Sequence, residues 1–155
     1  MTIKKIWIIH NSRYGNSEKI ANQIAEGLKN SYNVSVGRIK DLMPKQIAKD
    51  EPYGLIVAVR ILSYMSDLKI CRFIKKLDKI LQTPVSKVAY YSTHTMRWRE
   101  RFTKGILKSF HKADRVKEIC PEYLHVQMER NKGPAVEGSD EKIGKFVENL
   151  KKFMN

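Results

Sequence analysis

Two serines, two amides and a glycine crowd one stretch of the chain, His10-Asn11-Ser12-Arg13-Tyr14-Gly15-Asn16-Ser17. The stretch follows a short apolar run and opens an amphipathic one, so its chemistry is that of a strand-to-helix junction. A helix N-terminus presents unpaired backbone N–H groups and a partial positive charge, which together suit an anion. Ser12 and Ser17 add short hydroxyl donors. Gly15 lets the main chain turn, and lets a ligand approach, where a Cβ would obstruct. Asn16 tolerates turn geometry and can bond back to the loop. Two readings are open on these residues alone. One is a cradle for a phosphate; the other is a plain β–α turn in which Gly15 makes the bend and Ser17 caps the helix.

Elsewhere the chemistry is sparse. No Ser/His/Asp triad or pair of carboxylates emerges, so no catalytic residue is assigned. The four histidines are scattered at positions 10, 94, 111 and 125, and Cys71 and Cys120 form no CxxC, so no metal site is expected. The two cysteines read as small buried apolar residues rather than a disulfide. His10, at the end of a strand, and His125, within one, read as structural.

The elements that must position the loop follow from hydrophobic periodicity. A chain of 155 residues, 42% hydrophobic and without low-complexity stretches, fits one globular domain over residues 1–155. Ile6–Ile9 and Leu55–Val59 are continuous apolar runs, the mark of strands covered on both faces. Asn33–Ile39 alternates, as a strand nearer the sheet edge does. Lys87–Ser92 and Tyr123–Met128 complete five strands. Between them, apolar stripes at helical spacing run over 17–29, 70–81 and 98–110, and a last stripe covers 143–153. This alternation predicts an α/β, three-layer, doubly wound five-stranded parallel sheet with strand order 2-1-3-4-5. In that order a crevice opens between the C-terminal ends of the first and third strands. The loops 10–17, 60–66 and 92–98 would form it.

The hexapeptide Ser12-Arg13-Tyr14-Gly15-Asn16-Ser17 resembles the phosphate-loop signature of flavodoxins, Ser/Thr-x-Thr-Gly-x-Thr. It is closer still to the Ser-x-Tyr-Gly-Asn-Thr variant of flavodoxin domains in larger flavoproteins and quinone reductases. Asn131-Lys132-Gly133-Pro134-Ala135-Val136-Glu137-Gly138 resembles the segment before the last helix of many such domains. The resemblance implies a flavodoxin-like fold with flavin mononucleotide (FMN) as cofactor. It assigns Ser12, Tyr14, Asn16 and Ser17 to the FMN phosphate, with Gly15 permitting the wrap and Arg13 counted among the cofactor-binding residues. Typical flavodoxins follow the third strand with a Gly-Ser/Thr-Pro-Thr-type loop and a stacking aromatic. This chain has Val57-Ala58-Val59-Arg60-Ile61-Leu62-Ser63-Tyr64-Met65-Ser66, in which Tyr64 is the stacking candidate and Leu62 an apolar wall, while Met65 is a second wall or, by preference, core. In the third loop, Thr93 and His94 would face the pyrimidine edge of the flavin, and Trp98 reads as core. A neutral or cationic His94 there would favour the reduced, anionic flavin. Function by this resemblance is electron transfer, as a carrier or as a small FMN-dependent oxidoreductase of quinone or protoporphyrinogen oxidase type. The segment Arg97-Trp98-Arg99-Glu100-Arg101-Phe102 is similar to one in flavodoxin-type protoporphyrinogen oxidases.

Typical flavodoxins are acidic, whereas this chain has a formal net charge of +14. Residues 97–117, read as one basic helix, hold eight Lys or Arg against Glu100 and Asp114. Such charge steers a protein toward anionic partners, here an acidic redox protein or an anionic membrane surface. No recognition module or exposed stacking aromatics accompany it, which disfavours nucleic acid. The alternative function is a flavin-free interaction module that binds an acidic partner or nucleic acid through 97–117. The first ten residues look superficially like a signal peptide, but their apolar core of four falls short of the ~7–15 required. A cytoplasmic protein is expected.

Overall fold

A computed structural model of the chain describes residues 3–50, 52–62, 65–66, 68–81, 85–111 and 116–155. Its element order is β1 (Lys5–His10), α1 (Asn16–Leu28), β2 (Asn33–Arg38), a 3₁₀ turn (Ile39–Asp41), α2 (Pro44–Ala48), β3 (Tyr53–Leu62), β4 (Met65–Ser66), α3 (Leu68–Ile80), β5 (Val85–His94), α4 (Glu100–His111), β6 (Val116–Ile119), β7 (Leu124–Gln127) and α5 (Ser139–Met154). The sheet runs β2-β1-β3-β5-β6, all parallel along this path, with β7 also parallel to β5 and β4 antiparallel to β3.

The apolar runs are doubly covered because alternate residues serve different layers. Ile6 and Ile8 of β1, Ile56 and Ala58 of β3 and Ala89 and Tyr91 of β5 face a core shared with α1 and α5. Their neighbours Trp7, Ile9, Leu55, Val57, Val59, Val88 and Tyr90 join a second core with α2, α3 and α4. A strand with two dry faces has no position left for a polar residue, so its sequence shows no alternation. Edge strand β2 is only half-buried along its centre and does alternate.

The predicted order 2-1-3-4-5 is therefore the observed one, with the fifth place in the sheet shared by two short strands. β6 pairs with the start of β5 (Val85↔Val116, Lys87↔Glu118) and β7 with its end (Tyr91↔Leu124, His94↔Gln127). Three expectations need correction. The basic stretch 97–117 is not one helix: α4 covers Glu100–His111, and Val116–Ile119 is a strand held by backbone pairing to β5. The stretch 60–66 is not all loop, because β3 continues to Leu62 and Met65–Ser66 pairs back on Ile61–Leu62. Likewise β5 continues through Thr93 and His94, held by β3 on one side and β7 on the other. Among the described residues no helix is long and apolar enough to cross a membrane.

Candidate functional site

At the C-terminal end of β1 the chain leaves the sheet through Asn11–Tyr14 and enters α1 at Asn16. Gly15 is the residue before the helix and lies in the left-handed region at φ 88°, ψ −4°. An L side chain is strained there, which is why glycine stands at the bend. Among the described residues no side chain caps α1, so its first N–H groups are left for a ligand or solvent. Ser17 does not act as the cap that the plain-turn reading requires. It lies inside the helix, buried, with its hydroxyl 3.4 Å from that of Thr93.

Ser12 is only 5% exposed, yet its Oγ has no hydrogen-bond partner among the described residues. Its backbone N–H donates to His10 Nδ1 at 3.2 Å. His10 is buried, and that burial holds its pKa below the ordinary value. A neutral His10 with an accepting Nδ1 thus braces the start of the loop. The Ser12 hydroxyl departs from the rule that buried polar groups are nearly always paired, and an orphan costs about 1–3 kcal/mol.

The loop is tied across the molecule to the segment that precedes α5. Asn16 Nδ2 donates to the carbonyl oxygen of Asn131 at 2.8 Å. Gly133, at φ 88°, passes so near that a Cβ there would come within 3.2 Å of Asn16 Oδ1. Together these walls enclose a cleft of about 230 Å³ lined by Ser12, Asn16, Ser17, Thr93, His94 and Met128, with Arg13, Tyr14, Thr95 and Asn131 completing it. Arg13 and Tyr14 are exposed at its mouth, the guanidinium carbon 5.3 Å from the centre of the Tyr14 ring. A buried hydroxyl, an uncapped helix start and a nearby arginine suit a multiply charged oxyanion.

Of the residues predicted for the site, Ser12, Arg13, Tyr14, Asn16, Ser17, Thr93 and His94 converge on this cleft, and Gly15 shapes its turn. Leu62 ends β3, while Tyr64 lies outside the described residues. Thr95, within the 92–98 stretch expected at the crevice, also lines the cleft, as do Met128 and Asn131, which the sequence does not single out as lining residues. The segment opening at Asn131 was the available signal, since it precedes the last helix.

His94 is buried, with its Nδ1 bonded to the Met96 carbonyl and its Nε2 3.2 Å from His125 Nδ1. Because a carbonyl only accepts, a neutral His94 carries its proton on Nδ1. Its Nε2 is then an acceptor, facing His125 Nδ1, which Lys142 Nζ also approaches at 3.3 Å. The His125 ring lies flat on Trp98, centroids 4.6 Å apart and planes 2° apart. Lys142 donates to the His125 backbone carbonyl. Burial, reinforced by the Lys142 charge against an opposing bond to Met96, lowers the His94 pKa. Burial, Lys142 and His94 bring His125 down to about 4. Of the two charge states open to His94 from sequence, the neutral one fits this setting. Cys120 is buried with a free thiol, as a small apolar residue would be, and the Cys71 side chain lies outside the described residues. Among the described residues no group of His, Cys, Asp and Glu could hold a metal ion.

No family model and no curated protein sequence matches the chain. Solved structures do. Flavodoxin 2 from Bacillus cereus superposes with a TM-score of 0.73 at 19% identity, covering 96% of this chain and 98% of its own. Flavodoxin 1 from the same organism gives 0.72 at 16% identity, covering 96% and 97%. A flavo di-iron protein variant from Thermotoga maritima gives 0.70 at 19% identity, covering 98% of this chain but 36% of the longer protein. The fold is therefore flavodoxin-like over nearly the whole chain.

Proposed function

We propose that this protein binds FMN through the β1–α1 loop and serves in electron transfer. The observation that carries the reading is the buried, unpartnered Ser12 hydroxyl beside an uncapped helix start and a left-handed glycine. A phosphate supplies the acceptor that this hydroxyl lacks and the charge that the helix terminus favours.

In this reading Ser12, Ser17 and the first-turn N–H groups hold the phosphate, and Arg13 adds positive charge at the mouth. Thr93 and His94 form the wall below the rest of the cofactor. The uncharged His94–His125 pair keeps that wall rigid, since both His94 nitrogens are occupied within the protein. Bound FMN supplies the redox chemistry, while the chain supplies orientation and electrostatics. Either a carrier or a small oxidoreductase acting on a quinone-like or protoporphyrinogen-like substrate agrees with such a site.

Titration of the protein with FMN, followed by flavin fluorescence, tests the proposal. Saturable binding is expected, with riboflavin weaker for want of the phosphate and Gly15→Val unable to bind. A wild-type protein that leaves FMN fluorescence unchanged overturns the flavin reading, and the flavin-free interaction module then stands in its place.

A further inference from the structure

Charge is segregated between the two helical layers. α1 and α5 on one side of the sheet hold five acidic and five basic residues between them. On the other side, α3 carries Lys69, Arg72, Lys75, Lys76 and Lys79 against Asp78 alone. α4 and the turn before it add Arg97, Arg99, Arg101, Lys104 and Lys108 against Glu100. All ten basic side chains are exposed. Apolar residues of both helices, Ile70, Phe73, Leu77 and Leu107, pack on the second core. These helices are successive crossovers, β3 to β5 and β5 to β6, so they lie side by side over neighbouring strands.

We propose that the outer face of α3 and α4 docks on an anionic lipid bilayer. The charge runs the length of both helices, about 20 Å, instead of gathering at the mouth of the cleft. An extended planar anion matches that distribution better than a small protein patch does. A specific protein interface also needs apolar or aromatic anchors at its centre. Among the described side chains this face offers Ile80, 40% exposed at the far end of α3, and Met96, 38% exposed in the turn before α4, both at its margins. A headgroup layer needs no anchor: each basic residue near an anionic membrane adds to attraction independently. Few of the described apolar side chains project from this face, so the association is peripheral and set by salt. It does not depend on whether the cleft holds FMN.

Co-sedimentation of the full chain tests this, with vesicles of phosphatidylcholine alone and of equimolar phosphatidylcholine and phosphatidylglycerol. Binding is expected to the anionic vesicles only, and is expected to vanish at about 0.5 M salt. The combined Arg72→Gln, Lys75→Gln, Lys76→Gln variant is expected to lose on the order of tenfold or more in partitioning. Lys29→Gln, Lys145→Gln, Lys152→Gln, which removes the same charge from the other layer, is expected to bind like the parent. Circular dichroism establishes that both variants fold. Failure of the wild type to bind anionic vesicles at low salt overturns the proposal. So does an equal loss in the two variants, which would make net charge the sole cause. A duplex oligonucleotide or polyglutamate that displaces the vesicles at matched charge concentration would reassign the face to nucleic acid or to an acidic protein.

Discussion

Asn16 Nδ2 donates to the carbonyl oxygen of Asn131 across 115 residues of sequence, joining the first β–α loop to the last. Replacing the donor shows how far the cleft depends on that tie. Asn16→Ala is expected to cost about 0.5–1.5 kcal/mol in thermal or denaturant unfolding. Asn16→Asp sets a carboxylate against a carbonyl and places negative charge in an anion site. Its FMN affinity, by fluorescence titration, is expected to fall further than that of the alanine variant. Equal affinities in the two variants would contradict the role given to this contact.

Ser12→Ala has effects of opposite sign on folding and binding. Removing a buried hydroxyl that has no partner relieves a penalty, so the ligand-free variant is expected to melt at or above the parent temperature. Loss of a hydrogen bond to a charged phosphate is expected to weaken FMN binding by about 10–100-fold. A lower melting temperature together with unchanged binding would remove Ser12 from the site.

Acidification is expected to destabilise the fold through His125. Its pKa is about 4 in the folded chain against 6.5 for the free side chain. Between those values the unfolded state binds more protons, so stability falls as pH drops from 6.5 toward 4 and is retained above 6.5. With the shift discounted for partial solvent exposure, the loss is on the order of 1 kcal/mol, or roughly 2–4 °C in melting temperature. His125→Gln should flatten the profile in this window. An unchanged profile would mean that other groups govern the acid limb.

Basic surroundings favour the anionic, fully reduced flavin. With FMN bound, the midpoint potential is expected to be less negative than that of an acidic flavodoxin. Because the exposed charges are screened by ions, the midpoint is expected to become more negative as salt rises. Potentiometric titration at two ionic strengths reads this directly, and a salt-independent midpoint would sink the idea.

The fold was legible where residues had only one solution available. Ile6–Ile9 and Leu55–Val59 cannot be dry on both faces outside a covered parallel sheet, and the glycine of the first loop falls where a left-handed turn is needed. What escaped were elements specified by distant partners. Val116–Ile119 is four residues long and sits against a basic run, so only its pairing with Val85 and Val88 makes it a strand. α2 is too short to show a helical period and is set at its start by the Met43 N–H donating to Gln46. The His94–His125 contact arises from the register of β7 on β5, which local pattern does not encode.

The break between β6 and β7 also matters for colloidal behaviour. An outermost strand normally offers a continuous row of free N–H and C=O groups that another chain can extend. Here that border is divided into two four-residue pieces by Cys120–Tyr123. Neither piece is long enough to template a stable intermolecular ladder, so the interruption guards this side of the sheet against edge-to-edge aggregation.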